Sequence, residues 1–195
     1  MSLLNETNLR ERAQKFLRAR TFTRADSVIT EELQKREQLG THDIFLSHSY
    51  EDRELVLGVA LVIEDLGFTV YLDWRNDAQL DRGRVTRETA ARLRERMKRS
   101  RSLFYSTTEQ AGTSKWMPWE LGYKDGQSAR VAILPVTSGS TDSNVYKGQE
   151  YLGIYPYVTR DRNRKGEQCL WIHASETEYV VFDKWLEGEE PYDHS

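Results

Sequence analysis

Glu120 is the residue of this chain whose setting most suggests chemistry, because the stretch Ser114-Lys-Trp-Met-Pro-Trp-Glu-Leu-Gly-Tyr123 places one carboxylate among three aromatic rings. Ser114 suits an N-cap and Pro118 is tolerated only in a first helical turn, so a helix is predicted to begin between them. On it Trp116, Glu120 and Tyr123 or Lys124 share one face, and Met117 and Leu121 the next. The positive end of the helix dipole keeps such a carboxylate ionised, whereas burial against rings opposes its charge. An ionised carboxylate there can stabilise developing positive charge; the plainer alternative is a glutamate decorating a helix start.

Little else in the composition competes with this corner. The single cysteine, Cys169, excludes an intrachain disulfide and a cysteine-based zinc cluster, and beside Leu170 and Trp171 it reads as a core filler. His42, His48, His173 and His194 have no metal-binding spacing, so no metal and no cofactor are expected. A net charge of −3 gives no field that would attract nucleic acid. No run reaches the 18 or so apolar residues that span a bilayer, and the first twenty residues lack an apolar signal core, so the expectation is a soluble, cytoplasmic protein without nucleic-acid or membrane partners.

The elements that must position Glu120 follow from periodicity. Residues 1–40 form a helical extension, with Leu9, Ala13, Phe16 and Leu17 on one stripe and a second segment carrying Val28, Ile29 and Leu33. Asp43 to Ser47 is an apolar strand that delivers the polar loop His48 to Asp52. A helix with Leu55, Val59, Val62, Ile63 and Leu66 inward ends at Gly67, and Phe68 to Asp73 is the next strand. This βαβ-like order favours a parallel sheet. Val85 to Ser100 is helical; nine Lys or Arg from Arg82 to Arg101 face only Glu88 and Glu95, which gives a solvated face or, alternatively, a basic rim for phosphates or an acidic partner. Ser102 to Ser106 is the third strand and Arg130 to Val136 the fourth, with Pro135 marking its end or an edge position. Leu152 to Val158 and Gln168 to Ile172 are weaker strands around a charged turn. Glu176 to Leu186 is expected as a closing helix, and residues 189–195 as a frayed acidic tail. The result is a three-layer α/β fold with a central parallel sheet. In such sheets ligands bind beyond the C-terminal strand ends, where Ser47 to Asp52, Asp73 to Asp77 and Ser106 to Glu120 converge.

The pair of motifs Asp43-Ile-Phe-Leu-Ser-His-Ser49 and Ser114-Lys-Trp-Met-Pro-Trp-Glu-Leu121 resembles the first box and the glutamate-bearing helix of Toll/interleukin-1 receptor (TIR) domains, over residues 41–188. The closest likeness is to stand-alone bacterial members, including those of Thoeris-type antiphage systems. That resemblance implies a flavodoxin-like fold and an NAD+ nucleosidase, with Glu120 catalytic and Trp116 a wall of the nicotinamide-ribose pocket. It also implies substrate contacts from His48, Ser49 and Tyr50, from Asp73, Trp74 and Arg75 at the start of the BB loop, and from Ser106. Two departures stand out: Met117 and Pro118 follow the tryptophan where members often have Cys, and the BB loop lacks the proline of adaptor-type animal domains.

The implied chemistry is physically sound. Breaking the nicotinamide–ribose bond creates an oxocarbenium-like centre, and nicotinamide leaves without protonation, so one carboxylate suffices where glycosidases use two. Water then gives ADP-ribose, and a held hydroxyl gives a cyclic isomer. With no pore, nuclease or receptor segment alongside, the expectation is a diffusible signal for a separate effector; the resemblance further implies a role in antiphage defence and activation by self-association. The alternative is a non-catalytic TIR interaction module that binds partners through its basic helix and N-terminal arm.

Overall fold

A computed structural model describes residues 1–19, 40–48, 53–72, 86–107, 114, 116–138, 146 and 150–195. Among them the order is β1 (Leu4–Asn5), α1 (Glu6–Arg18), β2 (His42–Ser47), α2 (Arg53–Glu64), β3 (Val70–Leu72), α3 (Arg87–Lys98) and β4 (Ser100–Thr107). It continues with α4 (Met117–Ser128), β5 (Val131–Thr137), a 3-10 turn (Glu150–Ile154), β6 (Tyr157–Arg162), β7 (Gln168–His173), β8 (Glu178–Val181), α5 (Phe182–Glu187) and β9 (Tyr192–Asp193). The expected second N-terminal segment, with Val28, Ile29 and Leu33, lies outside the described residues.

The strands join in one sheet in the order β3-β2-β4-β5-β6-β7-β8-β9, with β1 against the end of β5. From β3 to β6 every pairing is parallel; α2, α3 and α4 carry the chain back across the sheet between β2, β3, β4 and β5, and the 3-10 turn lies in the link from β5 to β6. This run has the flavodoxin-like order, so the α/β class and its parallel core agree with expectation.

Beyond β6 the sheet continues antiparallel, an extension of the parallel core whose strand direction the sequence leaves open. The turn after Arg162 is too short for a crossover. Asn163 closes it by accepting from the amides of Lys165 and Glu167 at 2.9 and 3.0 Å, and Gly166 takes a φ of 81°. The closing helix is also shorter than expected. Tyr179 and Val180 belong to β8, whose pairing with β7 suits β-branched and aromatic residues, and only Phe182 and Trp185 turn inward from α5. The tail does not fray: Tyr192–Asp193 pairs with β8, and the His194 ring stacks on Tyr179 with centroids 3.9 Å apart. Pro135 lies in an interior strand, at the point where pairing with β4 ends and pairing with β1 begins, so its missing N–H costs no ladder bond at mid-strand.

Two cores flank the sheet. On one face α1, α2 and α5 pack over Ile44, Leu46, Phe104 and Leu134. On the other α3 and α4 pack over Phe45, Leu103, Tyr105 and Ile133. Every α2 residue from Leu55 to Ile63 is buried, because α1 covers the side of α2 that faces away from the sheet. Gly58 makes that contact possible: a Cβ there would stand 2.1 Å from the carbonyl oxygen of Leu9. Arg12 on α1 grips Asp65 just past α2 with two hydrogen bonds of 2.7 and 2.8 Å. No helix among the described residues is long and apolar enough to cross a membrane.

Candidate active site

Strand alternation decides which side chains reach the candidate corner. In β2, Ile44 and Leu46 turn to the α2 face, so Phe45 and Ser47 turn to the α4 face. In β4, Tyr105 pairs in register with Ser47 and points the same way. These strands are the neighbours at which the chain changes direction across the sheet, the place where open α/β sheets bind ligands.

Helix α4 starts at Met117, within the expected window, with Pro118 in its first turn and the Ser114 hydroxyl accepting from the Met117 amide at 3.3 Å. Trp116, Glu120 and Lys124 form its buried stripe, flanked by Met117 and Leu121. Tyr123 instead stacks on Trp119 with centroids 5.7 Å apart. Glu120 is only 1% exposed, and its Oε2 accepts from the Ser47 hydroxyl at 2.6 Å. That length is typical of a hydroxyl donating to a carboxylate. Ser47 therefore fixes the carboxylate at the end of β2, on the first turn of a helix whose dipole favours negative charge.

The buried Tyr105 phenol borders the same corner. Its pKa is pushed up to about 12, first by burial, then by the charge of and a hydrogen bond with Tyr151, and to a lesser degree by Tyr146 and Glu120. It remains a neutral hydroxyl at physiological pH. One turn beyond Glu120, the Lys124 ammonium donates to the carbonyls of Met97 and Ser100 at 3.1 and 2.6 Å, tying α4 to the end of α3 and the start of β4. Burial pulls its pKa down to about 8.

Of the residues singled out in the sequence, Glu120 lies in the first turn of α4, Trp116 is the residue just before that helix, and His48 directly follows β2. His48 is buried, with Nδ1 2.9 Å from the Leu46 carbonyl; a carbonyl only accepts, so Nδ1 carries the proton. Ser106 is buried at the end of β4, but alternation turns it to the face of Phe104, away from Glu120. Ser49, Tyr50, Asp73, Trp74 and Arg75 lie outside the described residues. Sequence reasoning did not single out Ser47 or Tyr105 as site residues. Their signal was parity: each is two residues from an apolar neighbour of the same strand face, Phe45 and Leu103, at a strand's C-terminal end. Among the described residues no cluster of His, Cys, Asp or Glu could hold a metal ion. Burial raises the Cys169 thiol to about 11, which suits a core filler and not a nucleophile.

No family model matches the chain. It is 52% identical over 148 residues to the "Probable 3' cyclic ADP-D-ribose synthase ThsB'" of Bacillus cereus (strain MSX-D12), covering 75% of this chain and 76% of that protein. It is 30% identical over 83 residues to the "Putative cyclic ADP-D-ribose synthase TIR2" of Cytobacillus dafuensis, a match that covers 42% of this chain and 22% of that protein.

Proposed function

Since the chain belongs to the bacterial TIR-domain family of these cyclic ADP-D-ribose synthases, we propose that it cleaves the nicotinamide–ribose bond of NAD+ and closes the remainder into a cyclic ADP-ribose isomer, with Glu120 as the catalytic carboxylate. The observation that carries this reading is the Glu120 carboxylate itself, buried and held by Ser47 where the sheet changes direction.

In the proposed reaction nicotinamide departs with the electron pair of the C–N bond, and the ribose carbon it leaves becomes oxocarbenium-like. The Glu120 carboxylate stabilises that charge at a position already fixed by Ser47, so little reorganisation is needed as the charge develops. A hydroxyl of the adenosine ribose then attacks the same carbon, forming the new glycosidic bond, and its proton passes to the carboxylate or to water. The relative's name points to the 3′ hydroxyl as that nucleophile. Water attacking in its place gives ADP-ribose, so exclusion of water by Trp116 and its neighbours favours the cyclic product.

Around this centre we assign residues 1–40 as an N-terminal helical extension, 41–188 as the TIR domain and 189–195 as an acidic tail. His48, Ser49, Tyr50, Asp73, Trp74 and Arg75 are the remaining candidates for substrate contacts, whereas Ser106, turned to the opposite face of the sheet, is set aside. The working context is a cytoplasmic antiphage signal: copies self-associate, and the released nucleotide acts on a separate effector. Incubating the purified protein at high concentration with NAD+ and resolving the products by mass tests the reading. The expected product is nicotinamide with an equimolar nucleotide one water lighter than ADP-ribose. ADP-ribose alone would make the protein a hydrolase, and intact NAD+ under every assembly condition would leave the interaction module as the better account.

A further inference from the structure

Helix α3 leaves an unfilled space beside α4. Its buried stripe is Thr89, Leu93 and Met97, while the neighbouring stripe reads Arg87, Ala90, Ala91 and Arg94, with i, i+3, i+4, i+7 spacing on one face. Alanines stand where larger side chains would close the gap toward α4, and the two arginines lie about 10 Å apart along the helix axis. The space is a cleft of about 800 Å³, walled from α4 by Trp116 and Trp119. That volume lies within the usual range for small-molecule sites.

We propose that this cleft binds the adenosine-phosphate end of a nucleotide. Trp116 and Trp119 meet edge to face at 5.4 Å, and the Arg94 guanidinium lies over the Trp119 ring at 5.5 Å, so planar groups line the walls. A purine ring entering there can stack on an indole or on a guanidinium plane. The mouth is positive. Among the described residues neither Arg87 nor Arg94 pairs with a carboxylate, whereas nearby Arg99 pairs with Glu95 at 2.9 Å and Arg96 lies over Tyr71 at 5.6 Å. Thr86, capping α3 through the Thr89 amide, also lines the cleft and brings the positive helix end to it. Among the described residues Glu88 is a nearby opposing charge, and it is not part of the lining. Two forked guanidiniums and a helix N-terminus make a phosphate site, and the indoles make a base site. Trp116 is common to this cleft and to the corner that holds Glu120, one helical turn away. Identifying the bound nucleotide with the adenosine end of NAD+ rests on the function proposed above; the cleft's affinity for an adenine nucleotide does not.

ADP is the probe, since it lacks the nicotinamide ribose and needs no turnover. Its binding is measured by quenching of tryptophan fluorescence and by calorimetry. Wild type and Glu120→Gln should bind ADP equally, adenosine should bind at least tenfold more weakly, and the double variant Arg87→Gln/Arg94→Gln should lose tenfold or more in ADP affinity. Arg164→Gln, a charge removed from the distant β6–β7 turn, should bind like wild type. With NAD+ as substrate, the double variant should raise KM tenfold or more. ADP binding that ignores the double variant overturns the site. So does a double variant that changes the protein's oligomeric mass with ADP affinity intact, because the cleft would then seat a second copy. ADP binding by a protein that releases no nicotinamide would keep the cleft and remove the enzymatic function.

Discussion

The two halves of the sheet each bury a polar pair, and they do so for different ends. In the antiparallel half, His173 contacts the Thr159 hydroxyl at 2.9 Å through Nε2 and the Ser175 carbonyl at 3.3 Å through Nδ1. Its ring stacks on Tyr157 at 5.0 Å and tilts against Tyr179 at 5.2 Å. Both nitrogens are used, and rings lie against it on either side. In the parallel half, Ser47 and Glu120 meet at the open C-terminal end of β2. Topology makes the difference: hairpins return the chain on itself and enclose their polar groups, whereas parallel strands direct all their C-terminal ends to one edge, where a ligand can enter. Burial alone therefore does not mark a site; burial at the strand ends does.

Glu120→Gln should break this contrast most severely. It preserves shape and removes the charge, so nicotinamide release should fall 10²- to 10³-fold, about 3–4 kcal/mol of transition-state stabilisation, with the melting temperature little changed. Steady-state release rates check it.

His173 and Lys124 should separate the halves by pH. Burial pulls the His173 pKa down from 6.5 to about 4. The unfolded chain thus takes up this proton first as pH falls, and stability drops between about pH 6.5 and 4 by on the order of 3 kcal/mol. His173→Gln should remove that slope in denaturation curves. Lys124, in the parallel half, has its pKa lowered from 10.5 to about 8. Between those values the unfolded chain holds a proton that the native state has shed, so stability rises with pH by a similar amount, and Lys124→Met should flatten the rise.

Ser47→Ala should have the smallest effect of the series. Loss of one hydrogen bond to a charged group is worth about 1.5–3 kcal/mol, so release should slow roughly 10- to 100-fold while Glu120 remains in place. A rate equal to wild type would show that Ser47 does not orient the carboxylate.

Much of the parallel half was legible in the sequence. The apolar runs at Asp43 to Ser47 and Ser102 to Ser106, the helix stop at Gly67 and the proline-marked start of α4 are local signals. The antiparallel half was not, because its clues depend on partners far along the chain. Tyr179 and Val180 fit a helical stripe as well as a strand, and only pairing with β7 decides between them. The apolar periphery of α2, with Val56, Leu57 and Leu61 outside the expected stripe, already signalled a second cover, but only the close approach at Gly58 identifies α1 as that cover. The Ser47 contact was hidden for the same reason: 73 residues separate it from Glu120, and its place on the correct face follows from register.

The most direct test places the two buried pairs side by side: initial rates of nicotinamide release from NAD+ at pH 7.5 by wild type, Glu120→Gln and His173→Gln, each verified as folded. Wild-type and His173→Gln proteins should release nicotinamide at similar rates, and Glu120→Gln at least a hundredfold more slowly. Equal rates for Glu120→Gln and wild type would contradict the assignment of the chemistry to the open end of the parallel strands.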